Sequence, residues 1–288
     1  MPTDLLFCPP GDPLAAFLAC IFGLLIGSFL NVVIYRVPKM MTRESENYVA
    51  HESGQPLPHT DRFDLMLPRS ACPHCGHQIT ALENIPVVSY LALRGKCSQC
   101  KAPISARYPA IELFTGLLSG FLVWRFGGGL AGVAVLLFAY LLIAMTFIDA
   151  DTQLLPDDLT LPLIWLGLLM NLNGLFVPLQ DAVIGAAAGY LVLWAIFWLF
   201  KLATGKEGMG YGDFKLLAAL GAWLGWKMLP VIILMSSLVG AVVGIGLIVL
   251  ARRGRDVPMP FGPYLAAAGM LSLLYGKPMM QVWLGFLG

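Results

Sequence analysis

Charge is scarce in this 288-residue chain. Asp, Glu, Lys and Arg make up 12% of it, about half the share of a soluble domain. With 58% of residues hydrophobic, that deficit excludes an ordinary soluble fold and points to a protein that crosses a membrane several times. No basic helix or aromatic-basic stripe is present, which leaves nucleic-acid binding without support. No GxG loop follows a strand pattern, so a conventional nucleotide-binding fold is not expected. Asp4 and Asp12 precede the first apolar run without any Lys or Arg. That run is also too long for the core of a cleavable signal peptide.

What is present falls into three parts. Leu14 to Tyr35 is an apolar run of 22 residues, enough to cross about 30 Å of hydrocarbon as a helix. A polar insert follows, Arg36 to Tyr108, holding four of the six cysteines and all four histidines. From Pro109 onward the chain is nearly continuous apolar segment, with spans expected near 110–126, 131–149, 159–176, 182–200, 213–226, 229–251 and 261–275. The expected architecture is an all-α polytopic membrane protein of about eight transmembrane helices. Its parts are an N-terminal transmembrane helix (1–35), a small cytoplasmic module between helices 1 and 2 (36–108), and a seven-helix membrane domain (109–288).

Basic residues orient this arrangement. Nine Lys and Arg lie in the insert, and Lys201, Lys206, Lys215, Arg252, Arg253 and Arg255 fall on the same side. That side holds fifteen of the 18, leaving Arg125, Lys227 and Lys277 opposite. Positive charge favours the cytoplasmic side, so the insert is expected in the cytoplasm and both termini on the far side. Within the later spans, Gly240 and Gly244 are expected to pack helices inside the chain.

Cys72-Pro-His-Cys75 and Cys97-Ser-Gln-Cys100 form two CxxC knuckles with 21 residues between them. Each knuckle puts two thiolates on one tight turn, and two knuckles complete a tetrahedron around zinc. A reducing cytoplasm favours metal over disulfides; two redox pairs or free thiols are the alternative. Four sulfurs close the coordination sphere, which makes such a zinc structural. Cys8 and Cys20 have no partners at useful spacing.

Asp149 ends one apolar run and Asp213 opens another, within Gly208-Met-Gly210-Tyr211-Gly212-Asp213. Under the topology above, both lie at the cytoplasmic ends of spans, at similar depth. Carboxylates in membrane segments are costly and mark candidate functional sites. Two at one depth can share a proton, one acting as base on a water while the other donates to a scissile carbonyl. Gly210 and Gly212 around Tyr211 would let an extended peptide approach the backbone. Helix capping or interfacial charge is the competing reading. It suits Asp157 and Asp158 and suits Asp149, at a helix C-terminus, poorly. Lys215 stands close enough in sequence to tune Asp213 or simply to face lipid.

These residues resemble a known family. Gly210-Tyr-Gly212-Asp213 resembles the GxGD signature of membrane aspartic proteases of peptidase family A24. Phe147-Ile-Asp149-Ala-Asp-Thr-Gln-Leu-Leu-Pro-Asp157 resembles the first-aspartate motif of the type IV prepilin peptidase/N-methyltransferases. Gly27-Ser-Phe-Leu-Asn31, Glu83-Asn84-Ile-Pro86, Arg107-Tyr-Pro109 and Pro260-Phe-Gly-Pro263 match further blocks in order. The resemblance implies an inner-membrane endopeptidase that cuts the basic leader of type IV prepilins and type II secretion pseudopilins on the cytoplasmic side. It implies Asp149 and Asp213 as the catalytic pair. It also implies N-methylation of the new N-terminal residue with S-adenosylmethionine. Glu83, Asn84, Gly95 and Lys96 are candidates for that cofactor, because they lie near the cysteine module and the membrane face. A proton-coupled transporter would hold its acids nearer the midplane. A zinc scaffold without catalysis would leave the aspartates unexplained.

Overall fold

Each expected span contains a helix in the computed structural model, which describes residues 8–206, 208–250 and 259–287. The helices are α1 (Pro13–Glu52), α2 (Val88–Ala92), α3 (Arg107–Phe126), α4 (Leu130–Thr152), α5 (Asp157–Met170), α6 (Leu179–Thr204), α7 (Tyr211–Leu224), α8 (Leu229–Leu250) and α9 (Gly262–Leu287). Among the described residues there is no strand, only two isolated bridges. Asp4, Arg252, Arg253 and Arg255 of the charge argument lie outside the described residues, as does the side chain of Lys277.

Among the described residues, four stretches are long and apolar enough to cross a membrane: α1, α4, α6 and Trp226–Leu247. The helices α5 and α7 have 14 residues each, about 21 Å of rise against about 30 Å of hydrocarbon. Their apolar runs reach span length in the sequence only by including loop residues.

The first helix begins cleanly, with Asp12 Oδ1 accepting from the backbone N–H of Leu14 and Ala15 ahead of Pro13. It does not stop at Tyr35, where hydropathy falls, but runs 40 residues to Glu52. Its polar extension is held by the loop that returns beneath it. Buried Arg36 donates to the carbonyls of Asp64 and Pro68. Asn47 donates to the carbonyl of His59 and accepts from its N–H. Arg43 lies over the Phe63 ring and pairs with Asp61.

The chain forms two compact units, one up to Tyr140 and one from Leu141. In the first, α1 packs along α3 through small residues on both helices. A Cβ on Gly27 would lie 2.7 Å from the Glu112 Cα. Asn31 Nδ2 donates to the Tyr108 carbonyl across the same seam, the interhelical role its polarity suggests.

In the second unit the short α7 is the core. Every residue from Leu216 to Leu224 is buried, against α5, α6 and α9. Gly221 and Gly185 let α7 and α6 touch backbone to backbone, since a Cβ on Gly221 would lie 2.1 Å from the Gly185 carbonyl oxygen. Fully buried Asn171 closes the far end. Its amide donates to the Ala222 and Trp223 carbonyls, and its oxygen accepts from the N–H of Phe176 and Val177. Gly240 and Gly244 meet Tyr264 and Met259, so that pair packs α8 within the chain.

Candidate active site

Asp213 stands three residues past the N-cap Gly210, in the first turn of α7. A carboxylate there can reach back to the N-cap N–H, and Asp213 does so, accepting from Gly210. This uses one orphan donor of the helix start. The side chain is 7% exposed, yet its Oδ1 has no partner among the described residues.

Asp149 lies in the last turn of α4 and is 5% exposed. A negative charge at a helix C-terminus is unfavourable by itself. The compensation comes from α9, whose first residue, Gly262, donates its N–H to Asp149 Oδ2 at 2.8 Å. Asp149 therefore sits on the N-terminus of a second helix. The two aspartates are near enough for the charge of Asp149 to act directly on Asp213. Both carboxylates are thus oriented by one glycine N–H at the start of a helix. The Pro260-Phe-Gly262-Pro263 block was visible in the sequence, but its role was not.

Gly262 has no spare room. A Cβ there would lie 2.7 Å from Asp149 Oδ2, so Gly262→Ala must push the carboxylate aside. A displacement approaching 1 Å costs about a hundredfold in rate. That loss of kcat is expected in a cleavage assay with a purified substrate, and a normal rate would remove Gly262 from the site.

The loop after Asp149 locks onto the glycine-rich turn. Leu155 fills the space beside Gly212, where a Cβ would meet its side chain at 2.6 Å. Lys215 Nζ donates to Asp157 Oδ1 at 2.5 Å. Its charge is engaged there, so it braces the start of α7 against α5. Gly210 is extended and exposed, and a Cβ on it would meet nothing nearer than the Gly212 nitrogen at 4.0 Å. Tyr211 is half-exposed and packs its ring, tilted, against those of Phe197 and Phe214. Asp151, Asp157 and Asp158 are exposed. Exposed ion pairs contribute at most about 1 kcal/mol, so Asp157→Asn should lower cleavage less than about tenfold. A collapse as complete as for the buried pair would refute the distinction.

The four cysteines converge in the first unit. All four sulfurs lie within 4.8 Å of one another, with Cys72–Cys100 at 3.8 Å and Cys75–Cys97 at 4.0 Å. A tetrahedral zinc with sulfur bonds of about 2.3 Å requires sulfurs about 3.8 Å apart. The two knuckles are alike. The N–H of Gly76 returns to the Cys72 carbonyl, and that of Lys101 to Cys97; both Gly76 and Lys101 have positive φ. Backbone N–H groups of Cys100 and Gln99 pull the Cys97 thiol down to about 6. The Cys100 sulfur accepts from the Ala102 N–H, but desolvation and the three other sulfurs outweigh this and push its thiol up to about 11. Four thiolates this close need a cation between them, and the donor set fits zinc.

Glu83 belongs to the scaffold of this module. Its carboxylate bonds to the Ser98 hydroxyl of the second knuckle and pulls in the Thr80 N–H, and it also meets His77 after the first knuckle. These contacts hold the carboxyl down to about 2. Asn84 and Lys96 are exposed. Gly95 turns at φ 68° beside the Tyr90 ring, where a Cβ would lie 2.9 Å from the hydroxyl.

Comparison with known proteins shows the lineage of the chain. Residues 21–126 match a family model described as the bacterial peptidase A24 N-terminal domain, and residues 136–245 match the type IV leader peptidase family. A prepilin leader peptidase/N-methyltransferase of Aeromonas salmonicida is 58% identical over 270 residues, covering 93% of each chain. One of Pseudomonas aeruginosa is 56% identical over 276 residues, 95% of each. One of Dichelobacter nodosus is 53% identical over 278 residues, 94% of this chain and 95% of its own. No solved structure matches. With such likeness running along nearly its whole length, the chain belongs to the type IV leader peptidase family.

Proposed function

We propose that this chain is a prepilin leader peptidase and N-methyltransferase of the bacterial inner membrane. The observation that carries the first activity is the pairing of buried Asp149 and Asp213, each held by a glycine N–H at a helix start. Two carboxylates that feel one another share a proton. The ionised one takes a proton from water as it attacks the scissile carbonyl; the protonated one donates to that carbonyl oxygen. The unpartnered Oδ1 of Asp213 suits contact with a group outside the chain. Exposed Gly210, whose missing side chain relieves no clash within the protein, leaves the backbone open to an extended peptide.

The substrates proposed are type IV prepilins and type II secretion pseudopilins, cut after their basic leader on the cytoplasmic side. The distribution of Lys and Arg supports that side, with both termini periplasmic. Eight spans remain our reading of the topology, with α7 enclosed by α5, α6 and α9. Cys72, Cys75, Cys97 and Cys100 would hold a structural zinc.

For the second activity, S-adenosylmethionine would supply the methyl group. Asn84, Gly95 and Lys96 are the residues proposed to hold it, with the side-chain-free turn at Gly95 as the cradle and Glu83 supporting it from within the module. The test is direct. The purified protein in detergent should cut a synthetic prepilin and then methylate the new N-terminus. Transport activity without cleavage would overturn the reading.

A further inference from the structure

One buried carboxylate has no part in the proteolytic pair. Glu112 lies five residues into α3, about 7.5 Å along the helix, and is 9% exposed. Its Oε2 accepts the Val87 N–H at 2.8 Å, and the Ser28 hydroxyl of α1 is its other partner. Both are neutral, and no Lys, Arg or His among the described residues pairs with it. An ionised carboxylate offers about four acceptor positions; here two donors serve it. Burial is costly for a carboxylate that no cation pairs.

The partner it holds is costly too. Val87 has φ 61° and ψ −47°, a region closed to β-branched residues except under constraint. The Val88 N–H bonds to the Pro86 carbonyl at 2.6 Å, which makes Pro86–Val88 a strained γ-turn. A glutamine at position 112 could accept the same N–H without burying charge. The clamp therefore explains an acceptor at this place and leaves the charge unexplained.

The surroundings point to what the charge serves. Gly27, Ser28 and Asn31 on α1, the turn after Glu83-Asn84, and Tyr108 on α3 converge around Glu112. Around them Ile85, Val88, Tyr108 and Leu113 are exposed. A carboxylate lacking a cation, ringed by apolar surface, fits an apolar peptide that begins with a free α-ammonium.

Resting on the N-methyltransferase reading above, we propose that Glu112 binds the α-ammonium of the newly cut substrate and accepts a proton from it. The proton passes from nitrogen to a Glu112 oxygen. The nitrogen keeps its electron pair and becomes the neutral amine that methylation requires. Ser28 and the Val87 N–H hold the carboxylate in place during the exchange.

The probe is a dye-labelled apolar peptide beginning with Phe, with its N-terminus free or acetylated. It is titrated without methyl donor against the zinc-loaded full chain in detergent. A charge-assisted hydrogen bond should make the free amine bind at least about tenfold more tightly. Glu112→Gln should narrow that preference to about twofold. Carbodiimide labelling reads the same residue without substitution: the free-amine peptide should protect Glu112 from modification, and the acetylated one should not. Equal binding by wild type, a tenfold preference surviving in Glu112→Gln, or equal labelling would each overturn the proposal. Methyl transfer to the free peptide is assayed in parallel. Its presence alongside equal binding would sink only the Glu112 assignment. Its absence would sink the N-methyltransferase reading itself.

Discussion

Asp213→Asn should abolish prepilin cleavage, lowering the rate at least about a thousandfold, the scale of a lost general acid or base. The substitution keeps the shape of the side chain. An amide oxygen can still accept the Gly210 N–H that holds Asp213, so helix α7 keeps its start. What disappears is the exchangeable proton. Asp149→Asn should fail equally, because its oxygen can still accept from Gly262 while the shared proton is gone. The double variant should be no worse than either single one, since residues acting as one unit lose their effect together. Asp213→Glu should also fail: one added methylene displaces the carboxyl by more than the tolerance of about 1 Å. Cleavage of a purified prepilin, followed by the mobility of the shortened product, reads all four. A single Asn variant that cuts at the normal rate, or a double variant whose loss is the product of two moderate ones, would reject the pair.

How far the sequence reached depended on the span of each interaction. The cysteine knuckles were legible because each is a local turn, and two of them at moderate spacing suggest one metal. The aspartates were legible because carboxylates are rare in apolar runs. Gly262 was not, because its reason for being glycine lies 113 residues away, at the Asp149 carboxylate. Glu112 had the same difficulty: its partners are a backbone N–H 25 residues before it and a hydroxyl on α1. Asn171, which fastens α7 through two carbonyls more than 50 residues on, carries no local signature at all. The overrun of α1 past Tyr35 was missed for another reason. Falling hydropathy marks where a helix leaves lipid, not where it ends, and Arg36 and Asn47 continue it through contacts with a loop. For Lys215 the sequence left tuning of Asp213 and lipid contact both open, because proximity in sequence is a poor guide around a helix start; its ammonium points to Asp157.

Removing the metal should unfold the cysteine module. Of residues 71–104 only Pro86 and Cys97 are buried, far too small a core to order a segment of that length. The module's own hydrogen bonds, through Glu83, Thr80 and the two knuckle turns, are exposed and worth little each. Zinc bound by four thiolates supplies roughly 10 kcal/mol or more at neutral pH, and where no site exists in the unfolded chain that is folding free energy. One equivalent of zinc per chain is therefore expected, with Cys72→Ser or Cys97→Ser dropping it well below half. The same substitutions, or a strong chelator, should expose 71–104 to proteases that leave the helices intact. Loss of the module also releases the Pro86–Val88 turn from Glu112, so methyl transfer should fall more steeply than leader cleavage. Wild-type protein prepared without chelator that carries under half an equivalent of zinc, yet keeps this segment protected, would show that something other than the metal holds it.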